Sequence, residues 1–270
     1  PARSFLWRAS FTQRSPPRAS DDINPRAGAG PRVGVRISEV FTSIEGEGLL
    51  YGTKTLFVRM AGCPFTCFYC DTPEALPAGS GREYTLGEAR GLVESSLQDR
   101  TYKVNFTGGE PLVQHEAVAE LARHVRSLGV RTYLESACYD SRRFSHVMAH
   151  MDILKVEFKT ADSEFARDAG HYERLLGEAA ACLAAAARAK KAVYVKVVVS
   201  ARTRAGDLGS LLGRVFGAAP PGAVSGLFVQ PVSGEGEPRL EHLVSLYDEA
   251  SRVYPEVRVV PQLHKLMGAI

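Results

Sequence analysis

The stretch TLFVRMAGCPFTCFYC, residues 55–70, decides how the rest of the chain is read. Its first six residues are β-branched, aromatic or aliphatic apart from one Arg, and they predict a strand. A short Ala-Gly link leads into Cys63, Cys67 and Cys70, spaced C-x3-C-x2-C. In parallel α/β folds, sites form where strands end. Here a strand ends in three potential metal ligands. A structural zinc site closes with four ligands, and a four-iron cluster usually takes four thiolates. Three thiolates on such a cluster leave one iron open to a small ligand, which makes a reactive site rather than a staple. A zinc site completed from afar stays as an alternative, although Cys138 and His115 follow other strands.

Outward from this loop the chain alternates strand and helix. Strands are expected at 35–42, 55–60, 103–106, 130–134, 153–158, 193–199, 226–232 and 257–260. Thr85 and Glu88 form a capping box that opens a helix toward Leu97. An amphipathic helix over 112–128 stops at Gly129. Further helices are expected over 172–189, 206–216 and 240–253. Such alternation implies right-handed crossovers and a mainly parallel sheet. About six βα units are too few for a closed eight-stranded barrel. The expected fold is therefore α/β, an open, partial (β/α)6-type barrel with parallel core strands. Other chemically capable residues fall at the same strand ends. Thr107 to Glu110, Glu135 with Ser136, Lys159, Gln230 and His264 all follow or close a predicted strand.

Composition sets bounds. The chain has 270 residues, 45% hydrophobic and 23% charged, an ordinary globular profile. No apolar run is long enough to span a membrane. Residues 1–34 hold six Arg against two Asp and no hydrophobic period, and are expected to form a disordered or targeting-like extension. The absence of an initial Met reads as processing or cutting. The body, 35–270, is expected to be one catalytic domain. It carries 27 basic and 28 acidic residues, which does not mark a nucleic-acid binder. Five cysteines, three of them clustered, suit metal ligation in a reducing, cytoplasmic compartment rather than a disulfide framework. His146 and His150, four apart, could pair on a metal, but no third ligand is evident. Cys182 reads as core in an Ala-rich helix.

The loop Cys63-Pro-Phe-Thr-Cys67-Phe-Tyr-Cys70 resembles the signature of radical S-adenosylmethionine (SAM) enzymes. Thr107-Gly-Gly-Glu110-Pro111, one βα unit later, resembles their glycine-rich SAM-binding segment. Ser43-Ile-Glu-Gly-Glu47-Gly48, Gly52, residues 57–63, Cys70-Asp71-Thr72 and Pro261-Gln-Leu-His264-Lys265-Leu-Met-Gly268 are more specific. They are similar to the 7-carboxy-7-deazaguanine synthase family, from residue 35 to the C-terminus. The resemblance implies a radical SAM type of barrel with a [4Fe–4S] cluster on Cys63, Cys67 and Cys70. SAM would be held by Tyr69, Cys70, Asp71, Gly108, Gly109, Glu110, Glu135, Ser136, Lys159 and Gln230. Substrate would meet Ile44, Glu45, Gly46, Glu47, Arg59, Thr107 and His264, and Mg2+ would take an oxygen of Thr72.

The implied reaction contracts the ring of 6-carboxy-5,6,7,8-tetrahydropterin to 7-carboxy-7-deazaguanine, with loss of ammonia, for queuosine or archaeosine synthesis. Its partners would be a flavodoxin or ferredoxin reductant and a second copy of the chain in a homodimer. Arg59 has the planar fork that suits a carboxylate, and Glu45 and Glu47 are acceptors for an amino-pyrimidine edge. Glu45 stands where the family more often has Gln, and residues 135–138 diverge. The rival enzyme reading is a radical activase that makes a glycyl radical on a partner protein. A non-catalytic iron–sulfur or zinc protein is the alternative of another class.

Overall fold

The computed structural model describes residues 34–268. The extension expected over 1–34 lies outside them except for Gly34, the first residue of a strand and so part of the body. Nine strands form one sheet: β1 (Gly34–Ile44), β2 (Lys54–Met60), β3 (Arg82–Thr85), β4 (Lys103–Gly108), β5 (Arg131–Ser136), β6 (Ile153–Lys159), β7 (Ala192–Val199), β8 (Leu227–Pro231) and β9 (Arg258–Val259). Their order is β3-β1-β2-β4-β5-β6-β7-β8-β9. β1 runs antiparallel to both neighbours, and every pairing from β2 onward is parallel. The crossovers carry α1 (Leu86–Ser96), α2 (His115–Ser127), α3 (Ser141–Met148), α4 (Ala169–Arg188), α5 (Ala205–Ala218) and α6 (Leu240–Val253). A short α7 (Leu263–Leu266) follows β9. This is the open, partial barrel expected, with an antiparallel pair of strands added at one edge. None of the helices among the described residues is long and apolar enough to cross a membrane.

Alternation along the central strands separates two environments. In β6, Leu154, Val156 and Phe158 join the core with Leu176, Cys182 and Leu183 of α4. The intervening Lys155, Glu157 and Lys159 line a cavity on the opposite face. Burying each large apolar side chain contributes roughly 1.5–3 kcal/mol. That burial fixes which face of the strand the charged residues must take.

Local signals account for most boundaries. Thr85 and Glu88 form the reciprocal capping box at α1, and Gly129 has φ +76° beyond α2. α2 begins at His115, later than expected, because Pro111–Gln114 takes a 3-10 turn. α3 escaped the sequence reading because its apolar residues are few. It is set by Asp140, whose carboxylate accepts from the Arg142 and Arg143 amides at 3.0 Å. His146 near the end of α3 and His150 just beyond it form no three-ligand group among the described residues, and the His146 ring meets that of His115 at 5.6 Å.

Deleting residues 1–33 is expected to leave the melting temperature within about 2 °C of the full chain. Extending the deletion through Ile37 should lower it by several degrees. That cut removes buried Val35 and Ile37 and the β1–β3 pairing of Gly34 with Thr85 through Ile37 with Arg82. Thermal unfolding of both truncations by circular dichroism checks this.

Candidate active site

A cavity of about 480 Å3 opens at the carboxyl ends of the parallel strands, and every site residue singled out from the sequence lines it, from Ile44 to His264. The β2–β4 register opposes Arg59 to Thr107 and Met60 to Gly108, which sets the cysteine loop beside the glycine turn. The Gly109 amide donates to the Met60 carbonyl at 3.0 Å, and the Glu110 amide to that of Gly62 at 2.9 Å. Gly108 has φ +145°, and a Cβ there would collide with the Met60 carbonyl. A Cβ on Gly109 would come within 2.5 Å of the Gly62 oxygen and 2.9 Å of Cys63 Cβ. Both positions require glycine for close approach of two backbones.

Phe65 anchors the cysteine loop against Phe165 and Tyr139, with ring centroids 5.4 and 6.1 Å away. Burial pushes the Cys63 thiol up to about 12 and raises those of Cys67 and Cys70. Such thiols need a cation to ionise them, which a metal centre provides. All three are free and line the cavity, together with Gly108 and Gly109 of the glycine turn alongside. The donor set and the cradle fit a cluster with three protein ligands and SAM on its remaining iron.

Glu110 clamps this turn to the end of β5. Its carboxyl accepts from the Leu112 amide at 3.0 Å, Ser136 Oγ at 2.7 Å and the Ala137 amide at 2.8 Å. Burial still pushes the group up to about 7. Folding therefore favours its protonated form. The stability linked to that proton is complete below pH 4.5 and is lost as pH rises through about 7. Between those limits, wild type should lose roughly 3 kcal/mol relative to Glu110→Gln, measured by urea unfolding at each pH. A pH-independent difference between the two proteins would show that Glu110 does not titrate there.

The inner faces of β5, β6 and β7 carry a ladder of buried charge. Lys155 Nζ lies 2.8 Å from Glu135 Oε1 and 3.0 Å from Glu47 Oε2. Lys196 Nζ lies 2.7 Å from Glu47 Oε2 and 3.0 Å from Glu157 Oε2. Lys159 Nζ lies 2.5 Å from Glu157 Oε1 and 5.4 Å from the Tyr69 ring centre. The ammonium groups outweigh burial and hold Glu47 well below the usual carboxylate range, with Glu135 and Glu157 also lowered. Glu47 accepts two further bonds, from Gln230 Nε2 at 3.0 Å and Gln262 Nε2 at 3.1 Å. Four donors occupy it, so the acceptor role expected for its side chain is taken up within the protein. Glu45 is likewise engaged by the ammonium of Lys103. Burial raises the carboxyl and lowers the ammonium, while each charge favours the ionised form of the other. Lys103 supplies the counter-charge that a Gln at position 45 would not need.

At the cavity mouth, Arg59 Nε reaches Glu39 Oε2 at 3.2 Å and Nη1 donates to Thr72 Oγ1 at 3.1 Å. Its Nη2 has no hydrogen bond among the described residues. Thr72 Oγ1 in turn donates to Asp71 Oδ1 at 3.0 Å. Gln262 Nε2 also donates to Asp71 Oδ2 at 3.0 Å, and the Leu263 amide to the Gly46 carbonyl at 3.0 Å. His264 packs so tightly on Gly46 that a Cβ there would overlap its ring. Glu47, Asp71 and His264 bring one donor atom each within 4.8 Å of one another. With two ammonium groups already on Glu47, that trio is poorly suited to a cation.

The sequence reading missed Lys155, Glu157, Lys196 and Gln262, which line the cavity, and Lys103, the buried partner of Glu45. A signal was present: Lys155, Glu157 and Lys159 alternate in a strand that both neighbours bury. Charges in such a strand have to be paired.

A family model described as a 4Fe-4S single cluster domain matches residues 44–174. The 7-carboxy-7-deazaguanine synthase of Methanothermobacter thermautotrophicus is 32% identical over 249 residues, covering 86% of this chain and 96% of that one. Its counterpart in Methanocaldococcus jannaschii is 30% identical over 252 residues, covering 87% and 100%. The structure of QueE from Escherichia coli shares the fold, with a TM-score of 0.57 at 16% identity over 85% of this chain and 94% of that one. Identity sustained across nearly the whole length of both archaeal relatives leaves one assignment: the chain belongs to the 7-carboxy-7-deazaguanine synthase family.

Proposed function

We propose that this chain is a ring-contracting carbon–nitrogen lyase that converts 6-carboxy-5,6,7,8-tetrahydropterin to 7-carboxy-7-deazaguanine and ammonia, with a [4Fe–4S] cluster, SAM and Mg2+. One observation carries the reading. A single cavity joins three free thiols, the Gly108-Gly109 turn, and an arginine with a spare donor. When bound, the cluster and SAM supply a one-electron cleavage that yields an adenosyl radical able to take hydrogen from the substrate.

The protein's own residues bind, orient and enclose. Cys63, Cys67 and Cys70 hold the cluster, and Gly108 and Gly109 let SAM approach the backbone. Tyr69, Glu135, Ser136, Lys159 and Gln230 line the wall beside them. Arg59 takes the substrate carboxylate. Thr72 and Asp71 offer the hard oxygens that magnesium prefers, leaving its other positions to water and substrate. Ile44 to Gly46, held by the Leu263 amide and covered by His264, form the lid of the pterin site. Thr107 faces the substrate from β4. Partners in this reading are a one-electron donor of the flavodoxin or ferredoxin type and a second copy of the chain. Free thiols suit a reducing compartment such as the cytoplasm. The activase alternative is set aside by the family assignment.

Anaerobic turnover of the pterin with SAM, magnesium and dithionite tests the proposal. The expected result is 7-carboxy-7-deazaguanine and ammonia in equal amounts. An iron-replete protein that cleaves SAM yet leaves the pterin unchanged would overturn it.

A further inference from the structure

We infer that Lys155 is a positioning residue for this reaction: through Glu135 it fixes the Thr107 hydroxyl as a hydrogen-bond acceptor toward the substrate. The inference rests on the function just proposed, in which Thr107 meets the pterin.

Three parallel strands supply one residue each: Thr107 from β4, Glu135 from β5 and Lys155 from β6. The β5–β6 register places Glu135 opposite Lys155. Lys155 Nζ lies 2.8 Å from Glu135 Oε1, and Thr107 Oγ1 donates to Glu135 Oε2 at 2.9 Å. Lys155 is 3% exposed, and its ammonium is held by carboxylates of the protein. An ionised carboxylate can only accept hydrogen bonds. Thr107 therefore commits its one hydrogen to Glu135 and turns its lone pairs to the cavity it lines. An acceptor there suits the N–H groups of an amino-pyrimidine ring.

The arrangement depends on the ammonium. Glu135 is buried and faces the carboxylates of Glu47 and Glu45, with Lys196 as a second cation and the Tyr133 and Tyr194 hydroxyls nearby. Burial and the neighbouring carboxylates favour its protonation, and Lys155 is the largest opposing charge. Without Lys155 the carboxylate loses both its largest opposing charge and the donor that holds Oε1, so neither its ionised form nor its orientation toward the Thr107 hydroxyl is held as before. Glu135 was a candidate from the sequence and Lys155 was not, and the link between them exists only across the sheet.

The test is a double-mutant cycle on the cluster-loaded enzyme, reading KM for 6-carboxytetrahydropterin, kcat, KM for SAM and melting temperature. Lys155→Met is expected to raise the pterin KM about tenfold, the equivalent of one lost hydrogen bond, while kcat and the SAM KM change by less than about threefold. Glu135→Leu should raise the pterin KM by the same factor; because Glu135 also lines the SAM wall, the SAM KM is used as a control only in Lys155→Met. The double variant leaves no unpaired buried charge, so its melting temperature should recover toward wild type. Its pterin KM should remain about tenfold raised, not about a hundredfold, because both changes act on one hydroxyl. Recovery of wild-type KM in the double variant would show that Lys155 only balances charge, and would overturn the inference. So would a Lys155→Met enzyme with unchanged KM, or effects that multiply. If Lys155→Met does not fold, the double variant decides alone. Wild-type protein that fails to turn over the pterin refutes the function itself, a result distinct from all of these.

Discussion

Cys67→Ala is expected to give a folded protein that holds no [4Fe–4S] cluster and makes no product. Cys138→Ala and Cys182→Ala should keep both. Cys67 lies on the loop between Cys63 and Cys70 and faces the cavity, so its removal leaves two ligands where three are needed. The side chain is only partly buried, and its loss opens little core. Cys138 and Cys182 are fully buried in the apolar core, Cys182 on the inner face of α4. The Cys182 thiol donates to the Cys138 carbonyl at 3.6 Å, within that core. Cys138 has φ +57°, a conformation that Ala tolerates no worse than Cys. Iron and sulfide content, the visible absorbance of the cluster and far-ultraviolet circular dichroism check all three variants after anaerobic reconstitution. A cluster that survives in Cys67→Ala, or is lost in Cys138→Ala, would remove the three-cysteine assignment.

Arg59→Ala should weaken pterin binding at least ~30-fold, because losing one partner of a buried charge pair costs roughly 2–5 kcal/mol. The guanidinium is held at the mouth by Glu39 and Thr72, 5.5 Å from the Phe41 ring centre. These contacts orient its fork and leave Nη2 for a carboxylate. Arg59→Lys keeps the charge and loses the fork, so it should behave nearly as badly. Cluster assembly and SAM binding should stay close to wild type, since the hydrogen bonds of the Arg59 side chain go to Glu39 and Thr72 and not to a cysteine or to Gly108 and Gly109. Uncoupled cleavage should then rise, seen as more 5′-deoxyadenosine per carboxydeazaguanine formed. The check is a pterin titration with both products counted. Unchanged affinity and coupling would take Arg59 out of the site.

Much of this architecture was legible beforehand because its determinants are local. The βα alternation, the capping box at Thr85 and the stop at Gly129 each depend on neighbours a few residues apart. The cysteine spacing and the Gly108-Gly109 pair are legible along the chain too, although the reason that both positions are glycine, the close approach of the Met60 and Gly62 backbone, is tertiary. β3 and α3 were missed for a matching reason. β3 is four residues long, and α3 has few apolar positions to betray its period.

By itself, the sequence determined the open parallel barrel, the three-thiol loop, the glycine turn and the strand ends that gather the candidate residues. Only the tertiary structure decided how the charges inside pair. Lys196 meets Glu47 across 149 residues of chain, and Gln262 meets it across 215. Those partners depend on strand register and on the fold of the C-terminal segment back over Gly46. The physical reason is burial. In water each of these groups would be satisfied alone, and nothing in its neighbourhood along the chain would name a partner. Once the apolar faces of β5, β6 and β7 are packed under the helices, the charged faces have only each other and the substrate to meet.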